Sequence, residues 1–92
     1  MIRTFKDAAT QELFVGRKHR HFSNVATVAL RKLDQIQSAL ALNDLQEPPG
    51  NSLEALKGDR AGQHSIRIND QFRICFIWKS DGAYAVEITD YH

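Results

Sequence analysis

A series of large apolar residues in the second half of this chain keeps to even positions: Ile66, Ile68, Phe72, Ile74, Phe76, Trp78, Tyr84, Val86 and Ile88. Between them, at odd positions, stand Ser65, Arg67, Arg73, Cys75, Glu87 and Thr89. A period of two places alternate side chains on opposite faces, so the series describes strands with one face on a core and the other free of it. The turns must then preserve parity. A loop Asn69-Asp70-Gln71 pairs Ile68 with Phe72 and Ile66 with Ile74. A loop Ser80-Asp81-Gly82 pairs Lys79 with Ala83 and Trp78 with Tyr84, and it leaves Gly82 for the left-handed position of a bulge. Trp78 and Tyr84 are accordingly expected as a cross-strand core pair. The C-terminal half reads as an antiparallel meander.

The first half follows helical spacing. Ile2 to Phe5 reads as a short strand, Asp7 as an N-cap, and Ala8 to Val15 as a short helix stopped by Gly16. Ser23 is a second candidate cap. It opens a helix expected over Asn24 to Leu42, whose apolar face is Ala26, Ala29, Leu30, Leu33, Ile36, Ala39 and Leu40. Arg31, Lys32, Asp34, Gln35 and Gln37 are expected mostly off that face, and Pro48-Pro49-Gly50-Asn51 breaks the chain. Ninety-two residues without internal repeats make one domain, 1–92. The single cysteine rules out an internal disulfide. The N-terminal sequence has no long apolar run of the kind a signal peptide or membrane anchor needs, so a cytoplasmic location with no membrane partner is expected.

The net charge of +1 hides a segmental pattern. Residues 1–32 hold seven Lys/Arg against two acids, and residues 33–55 hold four acids and no Lys/Arg. Residues 56–80 hold five Lys/Arg against two acids, and residues 81–92 hold three acids only. Such segments either gather into a basic face that suits a polyanion or intermix in space and cancel. The expected register sets Arg67 opposite Arg73, with Thr89 on the other side of Arg73. Like charges facing across a ladder repel by roughly 0.2–1 kcal/mol. An anion on that face would reverse the sign, whereas the structural alternative pairs one arginine with Glu87 or Asp90. On the anion reading, neutralising Arg73 leaves the fold no less stable.

Leu53-Glu54-Ala55-Leu56-Lys57-Gly58-Asp59-Arg60, then Gln63 through Ile74, and Asp90-Tyr91-His92 resemble the HigB family within the RelE superfamily of toxin–antitoxin toxins. The likeness is densest over residues 53–92. It implies an α+β, RelE-like (microbial-ribonuclease-like) fold, with N-terminal helices packed on one face of a small antiparallel sheet. It also implies a toxin that cuts mRNA in the ribosomal A site by attack of the ribose 2′-hydroxyl on the adjacent phosphate. The implied partners are a HigA-type helix-turn-helix antitoxin, through which alone operator DNA is met, and the ribosome with bound mRNA. No cofactor or metal is expected.

That reaction needs a base, an acid and cations. His92 can serve as acid or base near neutral pH. Asp90 lies two residues away, on the same side of a continuing strand, and can orient the imidazole or act as a base. Tyr91 would point to the arginine face, to stack on a base or donate to phosphate. Glu54 stands where some relatives carry histidine. It can act as a base but cannot donate as imidazolium does, which leaves the acid–base assignment open. Lys57, Arg67 and Arg73 are the candidate cations, with Arg60 a further one. Arg17, Lys18 and Arg20, in the basic stretch through His21, fit either a ribosomal RNA contact or a solvated loop. Two other functions on such a scaffold are gyrase binding without cleavage, as in ParE-like toxins, and plain RNA binding.

Overall fold

The computed structural model describes residues 1–16 and 22–90. Two helices, α1 (Ala8–Phe14) and α2 (Ala26–Ser38), precede four strands: β1 (Glu54–Ala55), β2 (His64–Arg67), β3 (Phe72–Lys79) and β4 (Gly82–Asp90). The strands form one antiparallel sheet in the order β1-β2-β3-β4. Short 3₁₀ turns at Leu42–Gln46, Pro49–Asn51 and Gly58–Arg60 carry the chain between α2 and β2. Both helices pack on the even face of the sheet. Ala29, Leu33 and Ile36 of α2 meet Ile66, Ile74, Phe76 and Val86 in a core where all seven are fully buried. Burying each such aliphatic or aromatic side chain contributes about 1.5–3 kcal/mol. Phe22 closes one end, edge-on to Phe72 at 6.1 Å.

The helix ends follow local chemistry. The Asp7 carboxylate accepts from the Thr10 amide at 3.0 Å, and Gly16 leaves α1 at a φ of +91°. Ser23 does not cap α2; the helix begins at Ala26 after Val25, with no side-chain cap. It also ends at Ser38 instead of Leu42. Ala39 is extended, and Asp44 Oδ2 accepts from the amides of Leu40 and Ala41 at 2.9 and 3.1 Å. That carboxylate stabilises the following 3₁₀ turn in competition with further α-helix. Leu40, expected on the apolar face, is left 93% exposed.

Lys32 departs from its expected place on the polar side. It is buried and donates to Asn51 Oδ1, and Asn51 is itself fully buried. The Asn51 amide donates to Gln35 Oε1 and to the carbonyls of Leu45 and Glu47 at 3.0–3.2 Å. Asn51 thus ties α2 to the irregular segment that leads into β1. Burial, and secondarily the Arg31 charge, hold the Lys32 ammonium below the usual lysine range.

The β2–β3 register is the expected one: Ile66 faces Ile74 and Arg67 faces Arg73, and the Ile68 amide donates to the Phe72 carbonyl at 3.0 Å. The β3–β4 turn is not. Lys79 faces Gly82 and Trp78 faces Ala83, which leaves a two-residue turn, Ser80-Asp81. Even residues there oppose odd ones, so Ala83 takes the core position. Tyr84 falls opposite Ile77, and its hydroxyl donates to Asp81 Oδ2 at 2.6 Å. The expected Trp78–Tyr84 core pair is therefore replaced by Trp78 with Ala83. A β-bulge then restores parity: Ala85 and Val86 together span the single residue Phe76, with Ala85 at a φ of +53°. Beyond it Cys75 faces Glu87 and Ile74 faces Ile88.

The outer edge of β4 is covered by residues 1–6. These run parallel to it through isolated bridges at Ile2–Ala83 and Phe5–Val86, not as the continuous strand expected. The bulge interrupts them. Thr4 Oγ1 accepts from the Ala85 amide at 2.7 Å, and the buried Thr10 hydroxyl accepts from the Ile88 amide at 3.0 Å. A sheet edge that would otherwise offer unpaired amides is closed. Gly82 allows this approach, because a Cβ there would lie 2.1 Å from the Met1 carbonyl oxygen.

Candidate nucleic-acid interface

Among the described residues no helix packs on the odd face of the sheet, and its side chains form two cross-strand rows. The first runs Glu54–Ser65–Cys75–Glu87 and the second Arg67–Arg73–Thr89. The rows exist because β2, β3 and β4 keep parity around the bulge, and because β1 adds two residues in register at the edge. The face is not open throughout. Ser65 and Cys75 are fully buried. The Cys75 thiol is pushed up by that burial, with the nearby charges of Arg60 and Arg73 acting the other way.

Arg73 sits at the centre. Its Nε donates to Ser65 Oγ at 2.8 Å, its Nη2 donates to the Ser52 carbonyl at 2.7 Å, and Nη2 lies 3.6 Å from Glu54 Oε1. Its side chain is only 13% exposed. Arg67, more exposed, donates to Asp70. The opposed arginines are each matched with an acid, but not with Glu87 or Asp90. Glu87 instead takes Arg60 Nη1 at 2.7 Å and Lys6 Nζ at 3.6 Å. Lys57 is exposed at the start of the Gly58–Arg60 turn, three residues along from Glu54.

Asp90, the last residue of β4, pairs with Phe72 and accepts from Gln71 Nε2 at 3.0 Å. Strand alternation places it on the face opposite Thr89 and Arg73. Glu54, Arg73, Arg67 and Arg60 thus share the helix-free face, with Lys57 at its margin, while Asp90 ends β4 on the other face. Tyr91, His92, Arg17, Lys18 and Arg20 lie outside the described residues. Sequence reasoning named Glu87 only as an alternative partner for one of the opposed arginines, and it did not single out Ser65, Lys6 or the Ser52 carbonyl. Ser65 and Glu87 were legible as odd-face positions, but the partners that make them matter come from distant segments. Among the described residues no group of three or more His, Cys, Asp or Glu is gathered as a metal site. No helix among them is long and apolar enough to cross a membrane.

Arginines in register beside a carboxylate, on a sheet face free of helices, can hold phosphate oxygens and offer a base to a hydroxyl. A family model described as RelE-like toxin of type II toxin–antitoxin system HigB matches residues 3–92. Toxin HigB-1 of Vibrio cholerae serotype O1 is 38% identical over 80 residues, which cover 85% of this chain and 84% of that one. An uncharacterized protein of Haemophilus influenzae is 44% identical over 57 residues, 62% of this chain and 54% of its own length. In fold, the chain is similar to a YoeB–YefM complex from Staphylococcus aureus, with a TM-score of 0.62 at 17% identity over 100% of this chain and 98% of the other. A YoeB/ParE toxin from Agrobacterium tumefaciens matches with a TM-score of 0.52, over 98% of each chain.

Proposed function

Because this chain belongs to the RelE-like HigB family of type II toxin–antitoxin toxins, we propose that it is a ribosome-dependent endoribonuclease that cuts mRNA in the A site and so arrests translation. The observation that carries the reading is the row in which Arg67 directly faces Arg73, with Glu54 Oε1 3.6 Å from the Arg73 guanidinium. In the reaction the 2′-hydroxyl loses its proton and attacks the adjacent phosphate, and the 5′-oxygen leaves with a proton. Arg73 and Arg67 hold the phosphate oxygens as charge gathers on them, and Lys57 adds a further cation at the margin. Base and acid are drawn from Glu54, Asp90 and His92, with Tyr91 set to stack or donate. Arg17, Lys18 and Arg20 are candidates for ribosomal RNA contacts.

The ribosome would supply the orientation that this shallow face lacks. The partner we propose is a HigA-type helix-turn-helix antitoxin; the solved YoeB–YefM assembly of similar fold is a heterotetrameric toxin–antitoxin complex, which supports a partner of the antitoxin class. Inducing the chain in bacteria and mapping mRNA 5′ ends tests the reading. In-frame cuts within translated codons are expected. Intact transcripts together with DNA damage would overturn it in favour of gyrase binding.

A further inference from the structure

The contact between Arg60 and Glu87 has no part in the chemistry above. Arg60 belongs to the turn after β1, at one edge of the sheet, and Glu87 to β4 at the other, with β2 and β3 between. Arg60 Nη1 is shared between Glu87 Oε1 at 2.7 Å and Gln63 Oε1 at 3.1 Å. Glu87 is 13% exposed in its side chain and also faces Lys6. The Arg60 amide donates to the Lys57 carbonyl at 3.3 Å, and the Gln63 amide donates to the Arg60 carbonyl at 3.0 Å. The turn that carries Lys57 is thus closed on itself by its backbone and fastened to the far strand by one side chain. Cys75, Cα partner of Glu87, is fully buried on the face that has no helix. Arg60, Glu87 and Arg73 lie near enough for their charges to act on its thiol.

We propose that Arg60 and Glu87 form a clasp that positions Lys57 at the edge of the arginine face, with Arg60 a positioning residue and not an RNA contact. To bind phosphate, Arg60 would have to leave Glu87 as an enclosed, under-paired carboxylate, which is unfavourable in a way that breaking an exposed pair is not. The proposal rests on the reading of Lys57 as a cation of the cleavage site.

The test uses the whole protein with Glu87→Gln, Arg60→Gln and the double variant. On ribosome-bound mRNA each single variant should lower kcat by about tenfold or more with KM little changed, and the double should be no worse than either. In a Lys57→Ala background, Glu87→Gln should cost nothing further. N-ethylmaleimide should alkylate Cys75 faster in each clasp variant than in the parent, under conditions where the melting temperature shows the fold intact. If Glu87→Gln cleaves as well as the parent while Arg60→Gln loses RNA affinity, Arg60 is an RNA contact and the clasp is overturned. Unchanged alkylation in a folded variant overturns it equally. Should Glu87→Gln fail to fold, Arg60→Gln, at a 30% exposed side chain, carries the same readouts. If the parent cuts no mRNA at all, the functional reading falls, and alkylation of Cys75 alone decides whether the clasp exists.

Discussion

Arg73 does two jobs at once, and this changes what its removal should do. Taken only as one of two opposed cations, it could be neutralised without loss of stability. Its Nε, however, satisfies the hydroxyl of the fully buried Ser65, and its Nη2 satisfies the Ser52 carbonyl. Leaving a buried hydroxyl unpaired costs about 1–3 kcal/mol, which in a domain of this size lowers Tm by roughly 4–8 °C per kcal/mol. Arg73→Ala should therefore lose both cleavage and several degrees of Tm. Arg67 pairs with an Asp70 whose side chain is 98% exposed, so Arg67→Ala should stay within about 0.5 kcal/mol of the parent while cleavage falls. Thermal melts beside a cleavage assay separate the two arginines; equal stability losses would contradict this division.

Among the elements, β4 depends on a single extra residue. The two-residue turn at Ser80-Asp81 puts Ala83 on the core side, and the inserted Ala85 brings Val86 and Ile88 back to it. Deleting Ala85 would remove the bulge and leave a regular ladder in which Val86 faces Phe76 while Glu87 still faces Cys75 and Ile88 still faces Ile74. It would also remove the amide that donates to Thr4 Oγ1 and so loosen the N-terminal segment. The deletion variant is expected to unfold cooperatively with a lowered Tm, because the core positions of β4 are kept while the N-terminal edge is weakened. Loss of cooperative unfolding would show that the bulge itself is needed to seat Val86 and Ile88 in the core. α2 teaches a related lesson at its C-terminal end, where the Asp44 carboxylate, six residues past Ser38, draws the chain into a new turn.

For the whole molecule, the charge segments intermix on the helix-free face. Arg67 meets Asp70, Arg73 meets Glu54, and Arg60 with Lys6 meets Glu87. A face neutralised in this way gains little from counterion release on free RNA. Purified protein should accordingly cut naked RNA poorly and ribosome-bound mRNA well; equal rates on both would contradict the proposal. The tail is the other global test. Removing Tyr91 and His92 should abolish cleavage and growth arrest with Tm preserved, since Ile88, the last buried apolar residue of β4, lies upstream of the cut. His92→Gln is the finer probe, because the amide cannot take up a proton near neutral pH. Full toxicity at matched expression would pass the acid–base role to Glu54 or Asp90.

Stability against pH reports on the buried lysine. The Lys32 value is lowered in the fold, chiefly by burial, from 10.5. Between the folded and unfolded values the unfolded chain binds more protons, so stability rises with pH across that window. Urea denaturation of the parent and of Lys32→Met, from neutral pH up towards 10.5, should show the parent gaining relative to the variant. A difference that is flat with pH would mean that the ammonium bears no burial penalty. Asn51→Ala, which strips that ammonium of its partner, should cost at least about 3 kcal/mol by equilibrium unfolding.

Two periodicities, of two residues and of about three and a half, determine most of what the sequence settles by itself. They give the meander, the buried even positions of β2 and β3, the face-to-face arginines and the inner face of α2, because alternation and helical spacing follow from backbone geometry alone. The Leu53–Arg60 and Gln63–Ile74 segments likewise carry the family resemblance. Contacts between segments far apart in the chain decided the rest. The bulge at Ala85 depends on what the N-terminal residues offer its amide, and the burial of Lys32 depends on Asn51, nineteen residues away. The carboxylate that answers Arg60 lies twenty-seven residues on. Such pairings leave no period in the sequence, since each is fixed only when the packed core brings its partners within hydrogen-bond reach.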